Sequence, residues 1–170
     1  DFLRVDGSEA GVVNNDAEAS TTVTCDACHN AVAATWDTVI FPSGAEIAAL
    51  GAEARRMECH QGRASTFTVD DSIASAGVSN LDTVSEDLHF SNIYYCAAAV
   101  SMYGTLAKGG YEYEGKTYDA KHDHVPGMNT CLDCHDAHTL EVRVEVCGTC
   151  HPGVPSLEDL RKNRMMGPLV

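Results

Sequence analysis

Apolar positions along this chain come in short, weakly periodic runs. Leu140, Val142, Val144 and Val146 alternate with Glu141, Arg143 and Glu145, a period of two that predicts a half-buried strand. Residues 91–107 (SNIYYCAAAVSMYGTLA) predict a helix, ended by Gly109–Gly110. Ser43 and Glu46 stand in capping-box order before the Ala-rich stretch 44–58, which predicts a second helix. A short helix is expected from Cys25 to about Trp36, and another after Pro155 and Ser156, with Asp159 completing the cap. Tyr111, Tyr113 and Tyr118 flank Glu114–Gly115–Lys116 and predict a hairpin. Residues 61–88 read as loop with one short helical turn. Residues 1–24, acidic and rich in Asn, Asp and Ser, read as an extended arm open to a neighbouring subunit. The expected fold is mostly irregular, with a few short α-helices and minimal β structure, in one domain over 1–170.

Composition sharpens that picture. A chain of 170 residues normally buries a sizeable core, yet aromatics are only 6 %, Trp36 is the one tryptophan and Ala dominates the apolar supply. Something other than side chains is needed to fill the centre. The formal charge is −14, from 25 acids against 11 bases, which excludes nucleic acid and an anionic membrane surface as partners. No apolar run approaches the roughly 18 residues of a membrane span; Cys96–Val100 is the longest strongly apolar patch. The chain begins at Asp1, read here as a processed, secreted form.

The chemistry sits in the cysteines. Cys25, Cys28 and His29 (CDACH), Cys131, Cys134 and His135 (CLDCH), and Cys147, Cys150 and His151 (CGTCH) repeat one pattern. A fourth segment, RMECH, keeps Cys59 and His60 but has Arg56 where the first cysteine would stand. Residues three apart share a helical face, so two thiols can reach the two vinyl groups on one edge of a haem. The next residue, turned by about 100 degrees, carries its imidazole to the iron. With 8 His in 170 residues, His after all four such cysteines arises by chance on the order of once in 10⁵. The competing reading is a zinc ribbon, since twelve residues separate the last two Cys-x-x-Cys pairs. Zinc does not require the recurring His, and haem is preferred.

Ligand counting supports four covalently bound c-type haems. His29, His60, His135 and His151 are the proximal set, leaving His89, His122, His124 and His138 as distal ligands. Eight imidazoles serve four irons with none left over. Met57, Met102, Met128, Met165 and Met166 are then not needed as ligands. His138 lies one turn from His135, at about 5 Å, too near to grip the opposite face of the same iron. His122 and His124 are close neighbours and are expected to reach different irons. Eight Cys also match eight vinyl groups if Cys96 supplies the thioether missing beside Cys59. A single thioether with a buried free Cys96, or a Cys59–Cys96 disulfide, are the alternatives. Four haems within a radius of gyration of roughly 15 Å must lie near contact.

One motif misleads. Gly110 to Thr117 satisfies G-x-x-x-x-G-K-[ST], but such a loop binds phosphate only between a strand and a helix, and Glu112 and Glu114 would repel the ligand.

From Ser91 to Val142 the chain resembles a segment of multihaem cytochromes from metal-reducing and related microbes. ECHQGR, Glu58 to Arg63, matches a haem motif of that group. The resemblance covers roughly the last two-thirds of the chain. Its small tetrahaem members look like subunits of extracellular cytochrome filaments, the cytochrome nanowires. It implies bis-histidine haems, little regular secondary structure and a head-to-tail homopolymer. It also implies that one subunit can lend an axial His to its neighbour, with His89, His122 or His124 in that part. Arg56 and Tyr94 depart from the pattern: Tyr94 stands where a His-Tyr pair would place His. The expected function is electron transfer rather than catalysis, with other redox proteins or extracellular acceptors as partners, outside the cell or at its surface. A soluble periplasmic shuttle is the alternative, and an enzyme would need an iron with an open position.

Overall fold

In the computed structural model, described for residues 15, 24–80, 82–93, 97–152 and 156–162, the chain forms two compact units, Asp1–His122 and Asp123–Val170. The architecture is mostly irregular, with short helices and one two-stranded sheet. Of the expected arm 1–24, only Asn15 and Thr24 lie within the described residues.

The first unit opens with a 3-10 turn, Cys25–Ala27, and helix α1, Ala31–Ala34. A continuous helix to Trp36 was expected; Asn30 divides it. Its Oδ1 accepts from the Val32 and Ala33 amides (2.9 and 2.8 Å), and its Nδ2 donates to the Asp26 carbonyl (2.6 Å), so a new helix starts there.

The expected helix over 44–58 forms only in its second half. Strands β1, Val39–Ile40, and β2, Glu46–Ile47, pair antiparallel with Val39 opposite Ile47 and Ile40 opposite Glu46. Ser43 holds the hairpin tip instead of capping a helix. Its Oγ accepts from the Ala45 amide (3.2 Å) and donates to the Ala107 carbonyl (2.6 Å). Helix α2, Glu53–His60, follows. Asp37 fixes the approach to it, accepting from Gly51 N–H at Oδ1 (2.6 Å) and from Leu50 N–H at its carbonyl (3.0 Å).

Helix α3, Thr66–Ser75, is a second correction, since 61–88 was expected to hold one short turn. Thr66, Thr68 and Val69 are β-branched and weaken the helical signal. A Ser65–Thr68 capping box and a bond from the Thr66 amide to the Lys108 carbonyl (3.0 Å) supply what propensity does not.

Helix α4, Ala98–Ala107, is shorter than the expected 91–107, of which residues 94–96 lie outside the described set. It ends on Lys108, left-handed at φ 48°, rather than on the glycine pair. At Gly104 (φ 48°, ψ −129°) the helix is broken, and the freed groups are reused. The Thr105 amide donates to the Asp119 carbonyl (3.0 Å), and the Met102 carbonyl accepts from the His122 amide (2.7 Å). A Cβ on Gly104 would stand 2.3 Å from the Asp119 oxygen. Glycine therefore lets the 119–122 segment lie against the helix.

The core of this unit is Val39, Phe41, Ala54, Met57, Ala99, Val100, Tyr103 and Ala107, with α2 packed against β1 and α4. Fully buried Ala54 and Ala107 present small side chains where these elements meet. Among the described residues 111–118 no strand forms, contrary to the expected hairpin. A turn closes from Lys116 N–H to the Tyr113 carbonyl (3.2 Å), and Tyr118 Oη accepts from the Tyr113 amide (2.9 Å).

The second unit holds α5, Cys131–Cys134, α6, Val144–Cys147, and α7, Leu157–Lys162. The strand expected over 140–146 does not form. Leu140 turns left-handed (φ 63°), only Val142 makes a bridge, to His135, and α6 winds on into the next cysteine turn. With no partner strand, the alternating pattern has no ladder to join. The Ser156 cap of α7 forms as expected, Ser156 Oγ accepting from the Asp159 amide (3.1 Å); Pro155 is outside the described residues. None of residues 123–152 and 156–159 is buried. Among the described residues no helix is long and apolar enough to cross a membrane.

Candidate functional site

The three Cys-x-x-Cys-His segments fold alike. In each, the His amide donates to the carbonyl of the first cysteine: His29 to Cys25 (2.8 Å), His135 to Cys131 (2.8 Å) and His151 to Cys147 (2.9 Å). That single helical turn sets both thiols on one face and the imidazole just past them. Local capping builds two of the turns. Asn30 closes the first, and a Thr130–Asp133 capping box opens the second, with Asp133 Oδ2 accepting from the Thr130 and Asn129 amides (2.8 and 3.0 Å). The Thr130 hydroxyl and amide, with the Asn129 amide, hold the Asp133 carboxyl below its usual range. None of the seven described cysteines is in a disulfide; Cys96 and Tyr94 fall outside the described residues.

Cys59 and His60 close α2, exposed, while Ala54 and Met57 of the same helix face the core. Met57 is thus a packing residue, and Met102 packs partly against the same cluster. Arg56, at the missing first-cysteine position, is half-buried. Desolvation by the surrounding protein raises the Cys59 thiol pKa; Cys28 and Glu58 push it the same way, and Arg63 opposes them. Arg55 ties the two segments together, its Nη1 donating to the Cys28 carbonyl (3.0 Å).

Two polar atoms beside this junction are buried with no partner, Arg55 Nε and Gln61 Oε1. The other end of the Gln61 amide donates to Glu58 Oε1 (2.8 Å). Burial raises the Glu58 pKa, against the Gln61 bond and the Arg63 charge. An unpaired guanidinium N–H suits a carboxylate such as a haem propionate.

In the second unit the other two turns meet. The Arg143 amide donates to the Cys134 carbonyl (2.8 Å), α5 packs on α6, and burial raises the Cys134 thiol pKa with help from Cys147 and Asp133. Arg143 also pairs with Asp136 (3.5 Å). Asp136 Oδ1 accepts from the Thr139 and His138 amides (2.8 and 2.9 Å), and these bonds draw its pKa down to about 2. The turn carrying His138 is thus held by a carboxylate. The His124 and His151 rings lie 6.3 Å apart, centroid to centroid, at 59°.

The remaining candidate ligands are separate. His89, exposed, lines an open cleft of about 770 Å³ with Asp71, Asp87 and Phe90. His122 hangs from the break in α4, and the unit boundary falls between it and His124. Among the described residues no three or more His, Cys, Asp or Glu converge as ligands of one metal ion. The residues at 110–117 form a turn that follows helix α4 and leads into no helix, whereas a phosphate-binding loop runs from a strand into a helix.

These surroundings fit haem. The thiols stand in pairs on turns outside any disulfide, the buried Arg55 Nε–H lacks an acceptor, and apolar side chains stand uncovered beside the candidate ligands. Val32, Phe90 and Leu140 are 71 %, 90 % and 77 % exposed, each within a few residues of a candidate ligand. Sequence reading missed Arg55 and Asp136. Arg55 stands one helical turn before Cys59, and Asp136 heads an Asp-x-His-Thr turn; both spacings were visible. Comparison with protein-family models, curated proteins and solved structures finds no match.

Proposed function

We propose that this chain is a tetrahaem c-type cytochrome that carries electrons, as a subunit of an extracellular cytochrome filament and not as an enzyme. The observation that carries the reading is the threefold recurrence of one Cys-x-x-Cys-His turn, with no disulfide in any copy. When bound, the haems supply the one-electron iron couple. The chain's part is to hold them. Cys25, Cys28, Cys59, Cys131, Cys134, Cys147 and Cys150 add their sulfurs across vinyl double bonds, the thiol proton going to the other vinyl carbon, and Cys96 supplies the eighth. His29, His60, His135 and His151 are the proximal ligands, and His89, His122, His124 and His138 the distal ones.

The attachment segments lie in pairs within each unit, Cys28 beside Cys59 and Cys134 beside Cys147. That pairing supports close-packed haems. Arg55 anchors a propionate at the first pair. The apolar flanks become covered, and eight imidazoles leave no iron open to a substrate.

Haem counting by pyridine haemochrome with intact mass tests the reading: four haems per chain are expected, with only low-spin spectra. Colourless native protein with zinc or disulfides on its cysteines would overturn it. Negative-stain images of native material test the polymer, and uniformly monomeric particles would favour the soluble shuttle.

A further inference from the structure

We infer that His124 and His151 are the two axial ligands of one iron, the one attached through Cys147 and Cys150. The inference rests on the haem reading above and adds a ligand pair that spacing alone leaves open. The two rings belong to the same unit, with centroids 6.3 Å apart and planes at 59°. Two imidazoles on opposite faces of one metal have nitrogens about 2 Å from it and centroids about 1.1 Å further back, which sums to roughly 6.2 Å. The observed separation is that distance.

Short-range bonds set both rings in place. His124 precedes a tight turn, in which the Met128 amide donates to the Val125 carbonyl (3.0 Å) and Gly127 takes φ 84°. The Asn129 and Thr130 amides then bind Asp133 and fasten that turn to α5. Helix α5 packs on α6, and α6 runs into the turn that closes from His151 to Cys147 (2.9 Å). Neither imidazole makes a hydrogen bond, so the ring nitrogens are uncommitted.

The assignment narrows the polymer chemistry. His124 is used within its own subunit, so a ligand lent to a neighbour comes from His122 or His89.

The test is His124→Ala in the full, matured protein. Four haems per chain should remain by haemochrome and mass, and one should turn high-spin and bind one CO per chain when reduced. Added imidazole should restore the low-spin spectrum. Dissociated subunits should show the gain of one CO site as filaments do. Introducing His124→Ala into a Cys147→Ala/Cys150→Ala background, which holds three haems, should open no further CO site. A CO site opened there, an unchanged low-spin spectrum in the single variant, or an open site already present in dissociated wild-type subunits and not increased by the substitution, each overturns the pairing. Should the double-cysteine background fail to mature, a cryo-EM map of the wild-type protein decides: iron between His124 and His151 supports the pairing, and another partner opposite His151 overturns it. A wild-type protein without haem would sink the function itself, a distinct outcome.

Discussion

Arg55 and Asp136 are not candidate ligands, yet each holds a segment that carries one. Arg55→Met keeps the aliphatic stem and removes the bond to the Cys28 carbonyl, with an expected loss of about 1 kcal/mol in denaturant unfolding. Removing a positive charge beside an iron favours the ferric form, so one midpoint potential should fall in a redox titration of the variant. Asp136 sets a pH limit. Its folded pKa, about 2, lies below the ordinary carboxylate value near 4. A depressed acid contributes stability above its unfolded pKa and loses it as pH falls through the folded one. The His138 turn should therefore loosen between about pH 4 and 2, seen as loss of the His138 and Thr139 amide shifts in NMR. In Asp136→Ala those shifts should be lost already at pH 7.

At the scale of elements, the break in α4 is the feature most exposed to test. Gly104→Ala puts a methyl group against the Asp119 carbonyl in a conformation that only glycine holds easily. It should cost about 1–3 kcal/mol and release the His122 amide to exchange. The cysteine turns were legible because a fixed spacing and a fixed chemistry coincide in five residues. The longer elements were less so. The 140–146 alternation promised a strand, but period two describes one face and says nothing of a partner to pair with. Thr66–Ser75 hid its helix because the stabilising bonds come from Ser65 and Lys108, one at its threshold and one distant in sequence. Gly104 was passed over in favour of Gly109–Gly110, since nothing local marks the glycine that a returning segment will touch.

For the whole molecule, the two units differ in what holds them. The first has its own apolar cluster around Phe41, Met57 and Tyr103, whereas none of residues 123–152 and 156–159 is buried. A unit without buried side chains depends on what binds it. Protein produced without haem attachment should therefore keep slow amide exchange around Val39, Phe41 and Tyr103 and lose it across 131–151, measured by hydrogen–deuterium exchange. Equal protection in both units would refute this division.

Arg55 ties the Cys28 segment to the helix that carries Cys59, and on the proposed haem reading this puts the newly made chain in a race. Outside a reducing compartment, a cross-link between them would disable two anchoring segments at once. The crowding that discourages the Cys59 thiolate also makes it a sluggish attacker. On that reading, maturation has a grace period written into a slowed nucleophile. Cys59-containing peptides from air-oxidised, unmatured protein should pair with Cys28 later than the Cys25–Cys28 bridge forms, as timed by mass mapping.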